Sequence, residues 1–261
     1  MGISVVIHTY NSEEHLEKVL DSVKSFDEIV VCDMNSTDST TQIISNYNCK
    51  VVYCDYSGGI PEPARNFAIS NASHEWILVV DSDEVVPQAL RTYLYDFISE
   101  NDRYNGIRLN RKNYLLGHFL HDVYPDYILR FFKKNESNWP PTVHSEPSVN
   151  GEITSIPRNR RDLALIHLSN SPIRVIVDKL NTYTDFEITR RKGKKYGLWS
   201  LLLRPPFRFF QSYVIKGGFK DGKVGFISAA NGAFYKYITI AKIIEANLSE
   251  KDYDRELRNS K

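Results

Sequence analysis

No stretch of this chain approaches the roughly 20 consecutive apolar residues that a bilayer-crossing helix needs, so none is expected. Cysteine is scarce: Cys32, Cys49 and Cys54 are an odd set, each in or beside an apolar strand-like run. Zinc would need more ligands at tighter spacing, so these read as buried thiols in a reducing cytosol. Net charge is nearly absent, with 33 Lys and Arg against 32 Asp and Glu. That balance argues against a general nucleic-acid partner. The opening Met1–His8 has no basic stretch ahead of its apolar residues, so it reads as a strand rather than an export signal, and a cytoplasmic location is expected. No internal repeat or low-complexity segment is present.

What is there is a chain of 261 residues, 42% hydrophobic and 25% charged, enough for one large core or for a domain with a substantial appendage. The first hundred residues alternate strand and helix signals. Strands are expected at Ile3–Thr9, Glu28–Asp33, Lys50–Cys54 and Trp76–Asp81. Ser12 could cap a helix running to about Phe26 with Leu16, Val19, Leu20 and Val23 on one face, and further helices are expected near Thr40–Tyr47, Pro61–Ser70 and Pro87–Ser99. This alternation predicts an α/β fold with a mainly parallel sheet flanked by helices. From about Asn101 to His167 short β-like pieces follow (Gly106–Leu109, Tyr127–Phe132, Leu163–Leu168), then a helix from Pro172 to about Arg191. The expected organisation is therefore an alternating strand–helix half at 1–100, a mixed-sheet half of the same domain at 101–170, and a helical extension at 171–261.

The most informative motif is Asp81-Ser82-Asp83-Glu84, directly after the apolar run Trp76–Val80. In open α/β sheets ligands bind outside the carboxyl ends of the strands. Two aspartates one residue apart at such an end suit a divalent cation whose remaining ligands come from substrate phosphates. The extension has a different character. Nine Lys and Arg fall between Arg190 and Lys220 with no acid among them, interleaved with Trp199, Leu202, Leu203, Phe207, Phe210 and other large apolar residues. Such a segment suits either an anionic membrane interface or a helical hairpin with solvated lysines. Pro205-Pro206 is expected to break any single long helix there.

Several of these stretches, in this order, resemble the family 2 glycosyltransferases, the inverting nucleotide-sugar-dependent class with a Rossmann-like, glycosyltransferase A-type fold. They are Val5–Asn11 with Glu13, Ile29–Thr40, Ala64-Arg65-Asn66, Asp81-Ser82-Asp83, Arg130, Trp139 and Val143-His144-Ser145-Glu146. The last segment, together with Pro205 to Gly217, Asp221-Gly222 and Gly225, resembles the subgroup of lipopolysaccharide core β-glucosyltransferases. Two departures stand out. Asn35 replaces the family's turn glycine, and asparagine tolerates the left-handed φ required. Ser145 separates His144 from Glu146.

The resemblance implies a transferase that uses Mg2+ or Mn2+ and moves a sugar from a nucleotide sugar, a UDP-sugar first of all, to a glycan or lipid-linked acceptor. It makes residues 1–100 the nucleotide-sugar-binding half and 101–170 the acceptor-binding half, and places the enzyme in the cytoplasm; the basic, aromatic extension adds the option of the inner face of the membrane. Thr9, Tyr10, Asn11 and Glu13 would line the base and ribose, although Tyr10 could equally be core. Asp33 would accept a nucleobase N–H, or else cap a turn. Arg65 would reach the diphosphate, or form an ion pair. Asp83 would bind the metal, with Asp81 toward the ribose or behind the metal's direct ligands. Glu146 is the candidate general base, and His144 could be base, metal ligand or phosphate partner. Arg130 and Trp139 would shape the sugar and acceptor pockets, or Trp139 could be core. A peptide acceptor and a non-catalytic, membrane-docked binding module are the competing readings. A sugar-1-phosphate nucleotidyltransferase would want a Gly-rich basic loop after the first strand, which His8–Ser12 is not.

Overall fold

The computed structural model describes residues 1–54, 62–100, 103–140, 146–168, 172–191 and 193–248. It forms two compact units, residues 1–113 with 124–169, and residues 114–123 with 170–261.

In the first unit, strands β1 (Ile3–Thr9), β2 (Glu28–Asp33), β3 (Lys50–Tyr53) and β4 (Trp76–Asp81) alternate with helices α1 (Leu16–Val23), α2 (Thr40–Ser45) and α3 (Glu62–Ser70). The chain then continues through β5 (Glu84–Val85), α4 (Gln88–Glu100), β6 (Tyr104–Leu115), β7 (His118–Phe119, in the 114–123 segment of the second unit), β8 (Asp126–Lys133), the small β9–β10 ladder (Ser137–Asn138 and Ser148–Val149), β11 (Glu152–Ser155) and β12 (Leu165–His167). The main sheet runs β3-β2-β1-β4-β8-β6-β12-β5. β3, β2, β1 and β4 are mutually parallel, while β8 enters antiparallel between β4 and β6. The expected mixed, mainly parallel sheet is observed.

The continuous apolar runs form strands because both faces of the sheet are covered, so every side chain of β1 is buried. Alternation sorts them into two cores. One holds Val5, Ile7, Leu78, Val80, Ile107 and Phe131, with Trp76 stacked on Phe131 at a centroid separation of 4.8 Å. The other, on the opposite face, holds Val6, Ile77, Val79, Phe132 and Trp139. Leu16, Val19, Leu20 and Val23 are the buried stripe of α1, as their spacing predicts. Ser12 is not its cap. The Ser12 carbonyl accepts the His15 and Leu16 amides in a preceding turn, its hydroxyl meets Ser82, and the helix ends before Phe26. Asn35 does take the left-handed conformation, at φ 63°.

The second unit contains α5 (Ile173–Arg190), α6 (Leu198–Phe210) with a π-turn at Gln211–Ile215, and α7 (Gly222–Leu248), against which α5 and α6 both pack. Pro205 and Pro206 lie inside α6, so the expected break does not occur. Contact along α7 holds the helix through the turn whose amides proline removes. Gly225 is required where α7 starts, because a Cβ there would sit 1.9 Å from the Gly218 carbonyl oxygen. No helix among the described residues is long and apolar enough to cross a membrane.

Candidate active site

The carboxyl ends of β1, β2 and β4 share one edge of the sheet, with Thr9 opposite Asp33 and His8 opposite Asp81. Period-two alternation puts Asp81 on the same face as Ile77 and Val79. There Arg65, from the start of α3, donates to Asp81 Oδ1 at 3.0 Å, and Arg130, from β8, donates to Oδ2 at 2.6 Å. Both guanidiniums also lie over the Trp139 ring, at 4.3 and 5.3 Å from its centroid. Asn66 fixes that tryptophan by exchanging two hydrogen bonds with its backbone, at 2.8 and 2.9 Å. Burial by itself would raise the Asp81 carboxyl, but Arg130 and Arg65 overcome it and hold the group below the usual carboxylate range. Burial, reinforced by Arg65, lowers His8 to about 3, so its imidazole is neutral. Two guanidiniums and one carboxylate leave this buried cluster with one net positive charge. Arg130 Nη1 is buried without a hydrogen-bond partner among the described residues.

A second network fixes the rest of the acidic motif. After Asp81 the chain turns back so that Glu84 and Val85 pair with His167 and Ile166 of β12. Glu84 is fully buried; its Oε2 accepts the Asp81 amide at 3.0 Å and its Oε1 accepts Arg111 at 3.0 Å. Arg111 also forks onto Asp126 at 2.9 and 2.7 Å. Burial would lower the Arg111 pKa, yet Glu84 and Asp126 raise it, so this cation is locked in the charged form. Asp126 accepts the Asn113 amide NH2 at 2.9 Å, which turns Asn113 Oδ1 toward His167 Nδ1 at 2.8 Å.

Asn113 Oδ1 can only accept, so His167 Nδ1 donates to it, and Nε2 is the ring nitrogen left to face Asp83. Nε2 faces Asp83 Oδ2 at 3.2 Å. An imidazole lone pair and a carboxylate oxygen repel unless a proton or a cation lies between them. Adjacent ligands of an octahedral cation with bonds near 2.1 Å stand about 3 Å apart, close to this spacing. Asp83 and His167 thus fit a shared divalent cation. Among the described residues no three His, Cys, Asp or Glu side chains converge in this way, so water and substrate oxygens would complete the shell. In sequence His167, like His15, His74, His118 and His121, has no metal-type spacing and gives no ground for a catalytic role. Its signal was a lone polar ring at the end of the apolar run Leu163–Ile166, but its partner lies 84 residues away.

The other expected site residues fall as follows. Asn11 and Glu13 clasp the loops after β1 and β2 together, and Asp33 braces the second loop from within. Asn11 Oδ1 accepts the Thr37 amide at 2.8 Å, Glu13 accepts the Ser39 amide at 3.0 Å, and Asp33 accepts the Ser36 hydroxyl at 2.5 Å. Asp33 is therefore engaged as a turn acceptor. Thr9 is buried beside it, whereas Tyr10 is exposed. Trp139 is a core side chain that seats two guanidiniums, and Arg130 is tied to Asp81. Arg108 of β6 spans both oxygens of Glu146 at 2.7 and 2.6 Å. Arg108 lies on the Asp81 face of the sheet, because its neighbours Ile107 and Leu109 belong to the opposite core. His144 lies outside the described residues.

A family model described as "Glycosyl transferase family 2" matches residues 4–149. The chain belongs to that family. It is 27% identical over 256 residues, spanning 94% of this chain and 93% of the relative, to the lipopolysaccharide core biosynthesis glycosyltransferase LpsC of Rhizobium meliloti. An uncharacterized glycosyltransferase of Rickettsia typhi is 26% identical over 96% of this chain and 89% of its own. Among solved structures, the mannosyltransferase PcManGT of Pyrobaculum calidifontis, in complex with GDP-Man and Mn2+, superposes with a TM-score of 0.57 at 14% identity. That match covers 93% of this chain and 86% of the other. At such an identity the likeness is one of fold, and the fold is the expected glycosyltransferase A type. The protein is a glycosyltransferase.

Proposed function

We propose that this glycosyltransferase moves a sugar from a uridine nucleotide sugar to a hydroxyl of a lipopolysaccharide-core or related surface-glycan acceptor, with inversion and with Mg2+ or Mn2+. The observation that carries the reading is the facing of Asp83 Oδ2 and His167 Nε2 at 3.2 Å, beside a buried cluster with one excess positive charge. A divalent cation held by Asp83 and His167 would neutralise charge building on the departing diphosphate. Arg65 and Arg130 add a fixed positive field at the same edge, and Arg130 Nη1 is the donor with capacity to spare. Glu146, held by Arg108, is the candidate that takes the acceptor proton on the opposite side of the sugar. His144 is the alternative base. The uridine preference and the inversion rest on the family resemblance, and the acceptor class on the relative LpsC.

The test is nucleotide release from a panel of UDP-, GDP- and dTDP-sugars by purified protein with Mn2+ or Mg2+. Slow cation-dependent release from a UDP-sugar supports the reading. Preference for a GDP-sugar would overturn the uridine assignment. No release and no cation-dependent nucleotide binding by calorimetry would overturn the proposed donor reading as a whole.

A further inference from the structure

A surface helix packed on a protein core turns its polar side outward. Helix α6 does the reverse. An outward stripe at helical spacing runs through Trp199, Leu202, Leu203, Phe207 and Phe210 and continues to Val214 in the π-turn, each a large apolar side chain, with Arg204 and Pro206 exposed beside it. Trp199 is 74% exposed, and Leu203 and Phe207 are each 61% exposed. Contiguous apolar surface of this kind marks an interaction site.

The charge around it selects the occupant. Lys194 and Lys195 precede the helix, Arg204 flanks the stripe, and Lys216 and Lys220 follow it, all exposed. No acid occurs from Arg190 to Lys220. A second copy of this chain would set these cations against their own counterparts across a two-fold axis, which the charge opposes. An anionic bilayer satisfies both features at once: the rings and leucines enter the acyl boundary, and the Lys and Arg heads remain among the phosphates. Tryptophan suits that depth, with its indole N–H at the headgroup level.

We infer that α6 and the π-turn after it form a docking surface for an anionic lipid bilayer, with the helix lying in the plane of the interface. This rests on the second unit alone and does not depend on the proposed donor or acceptor.

The chain supplies its own probe. Of its three tryptophans, Trp76 and Trp139 are 1% and 3% exposed, so a change in emission on adding lipid reports Trp199. The full-length protein is titrated with vesicles of phosphatidylcholine alone, or of phosphatidylcholine and phosphatidylglycerol in equal parts. A blue shift with the anionic vesicles is expected, together with quenching by lipids brominated on the acyl chains. Partition should be at least about tenfold weaker onto the neutral vesicles and should weaken in high salt. The double substitution Leu203→Gln with Phe207→Gln should abolish flotation with vesicles while leaving the melting temperature in place. If that variant does not fold, wild-type emission still decides the matter. Emission unmoved by anionic vesicles overturns the inference, as does equal partition onto neutral ones. Dimerisation that the double substitution dissolves, without vesicle binding, assigns the face to contact between copies instead.

Discussion

The buried Arg65–Asp81–Arg130 cluster makes a prediction about order as well as size. Asp81→Asn keeps the shape but leaves two guanidiniums, each at most 10% exposed, without their shared counter-charge. Removing one partner of a buried pair costs about 3–5 kcal/mol. Asp81 is itself 27% exposed, and asparagine retains one acceptor, so the cost drops to or just below the floor of that range, about 2–3 kcal/mol. For a chain of this length that corresponds to a fall in Tm of roughly 5 °C. Arg130→Met is different: it leaves a neutral Arg65–Asp81 pair bonded at 3.0 Å, keeps apolar bulk over Trp139, and removes the excess charge. Its stability cost should not exceed about 1 kcal/mol, while nucleotide affinity falls about tenfold or more through a lost charge-assisted contact. In the double variant the two effects should be less than additive. The assay is thermal and urea unfolding of the three variants, paired with calorimetry for nucleotide binding. The reasoning is wrong if Arg130→Met destabilises as much as Asp81→Asn, or if Asp81→Asn melts with the wild type. The pH dependence supplies a check of sign. The folded Asp81 carboxyl lies below its unfolded value, so its contribution is full above about pH 4 and is lost as pH falls further. The gap between wild type and Asp81→Asn should therefore hold from neutral pH to about 5 and close below about 4.

Three further outcomes are expected. Asp83→Asn and His167→Ala should each remove Mn2+-dependent nucleotide binding by calorimetry, with wild-type cation affinity in His167→Ala counting against the shared site. Glu146→Gln should lower transfer about 10²–10⁴-fold with donor binding intact; an unchanged rate removes Glu146 as the base. His8 is lowered to about 3, so the unfolded chain takes up a proton below about pH 6.5 that the folded one refuses. Stability should fall by up to about 1.4 kcal/mol per unit as pH drops from there toward about 3, and His8→Leu should flatten that slope in urea titrations at pH 6.5 and 5.5.

Local pattern carried the first unit well. Trp76–Asp81 was readable as a buried strand ending in acids because five apolar residues in a row have few other solutions, and Asn35 because a left-handed turn has few tenants. Long-range polar geometry was not readable. β6 extends to Leu115 where only Gly106–Leu109 was expected, because Asn110–Asn113 are polar on a strand whose work is to present Arg111 and Asn113 to Glu84, Asp126 and His167. The burial of Glu84 and the role of His167 both arise from the β5–β12 pairing, which no local signal announces. In the second unit the proline pair argued against a helix that packing against α7 sustains, since propensity yields to tertiary contact.

The polar ring behind Asp83 has a sense of direction. Arginine can only give hydrogen bonds and a carboxylate can only receive them, so Arg111 and Asp126 are fixed points. Asn113 must then give to Asp126 and receive from His167, which fixes a proton on Nδ1. Read from Arg111 outward, each group's polarity is dictated by the one before it, like compass needles aligned along a row. The ring nitrogen that turns to Asp83 at the edge of the sheet is thus chosen by charges two side chains upstream.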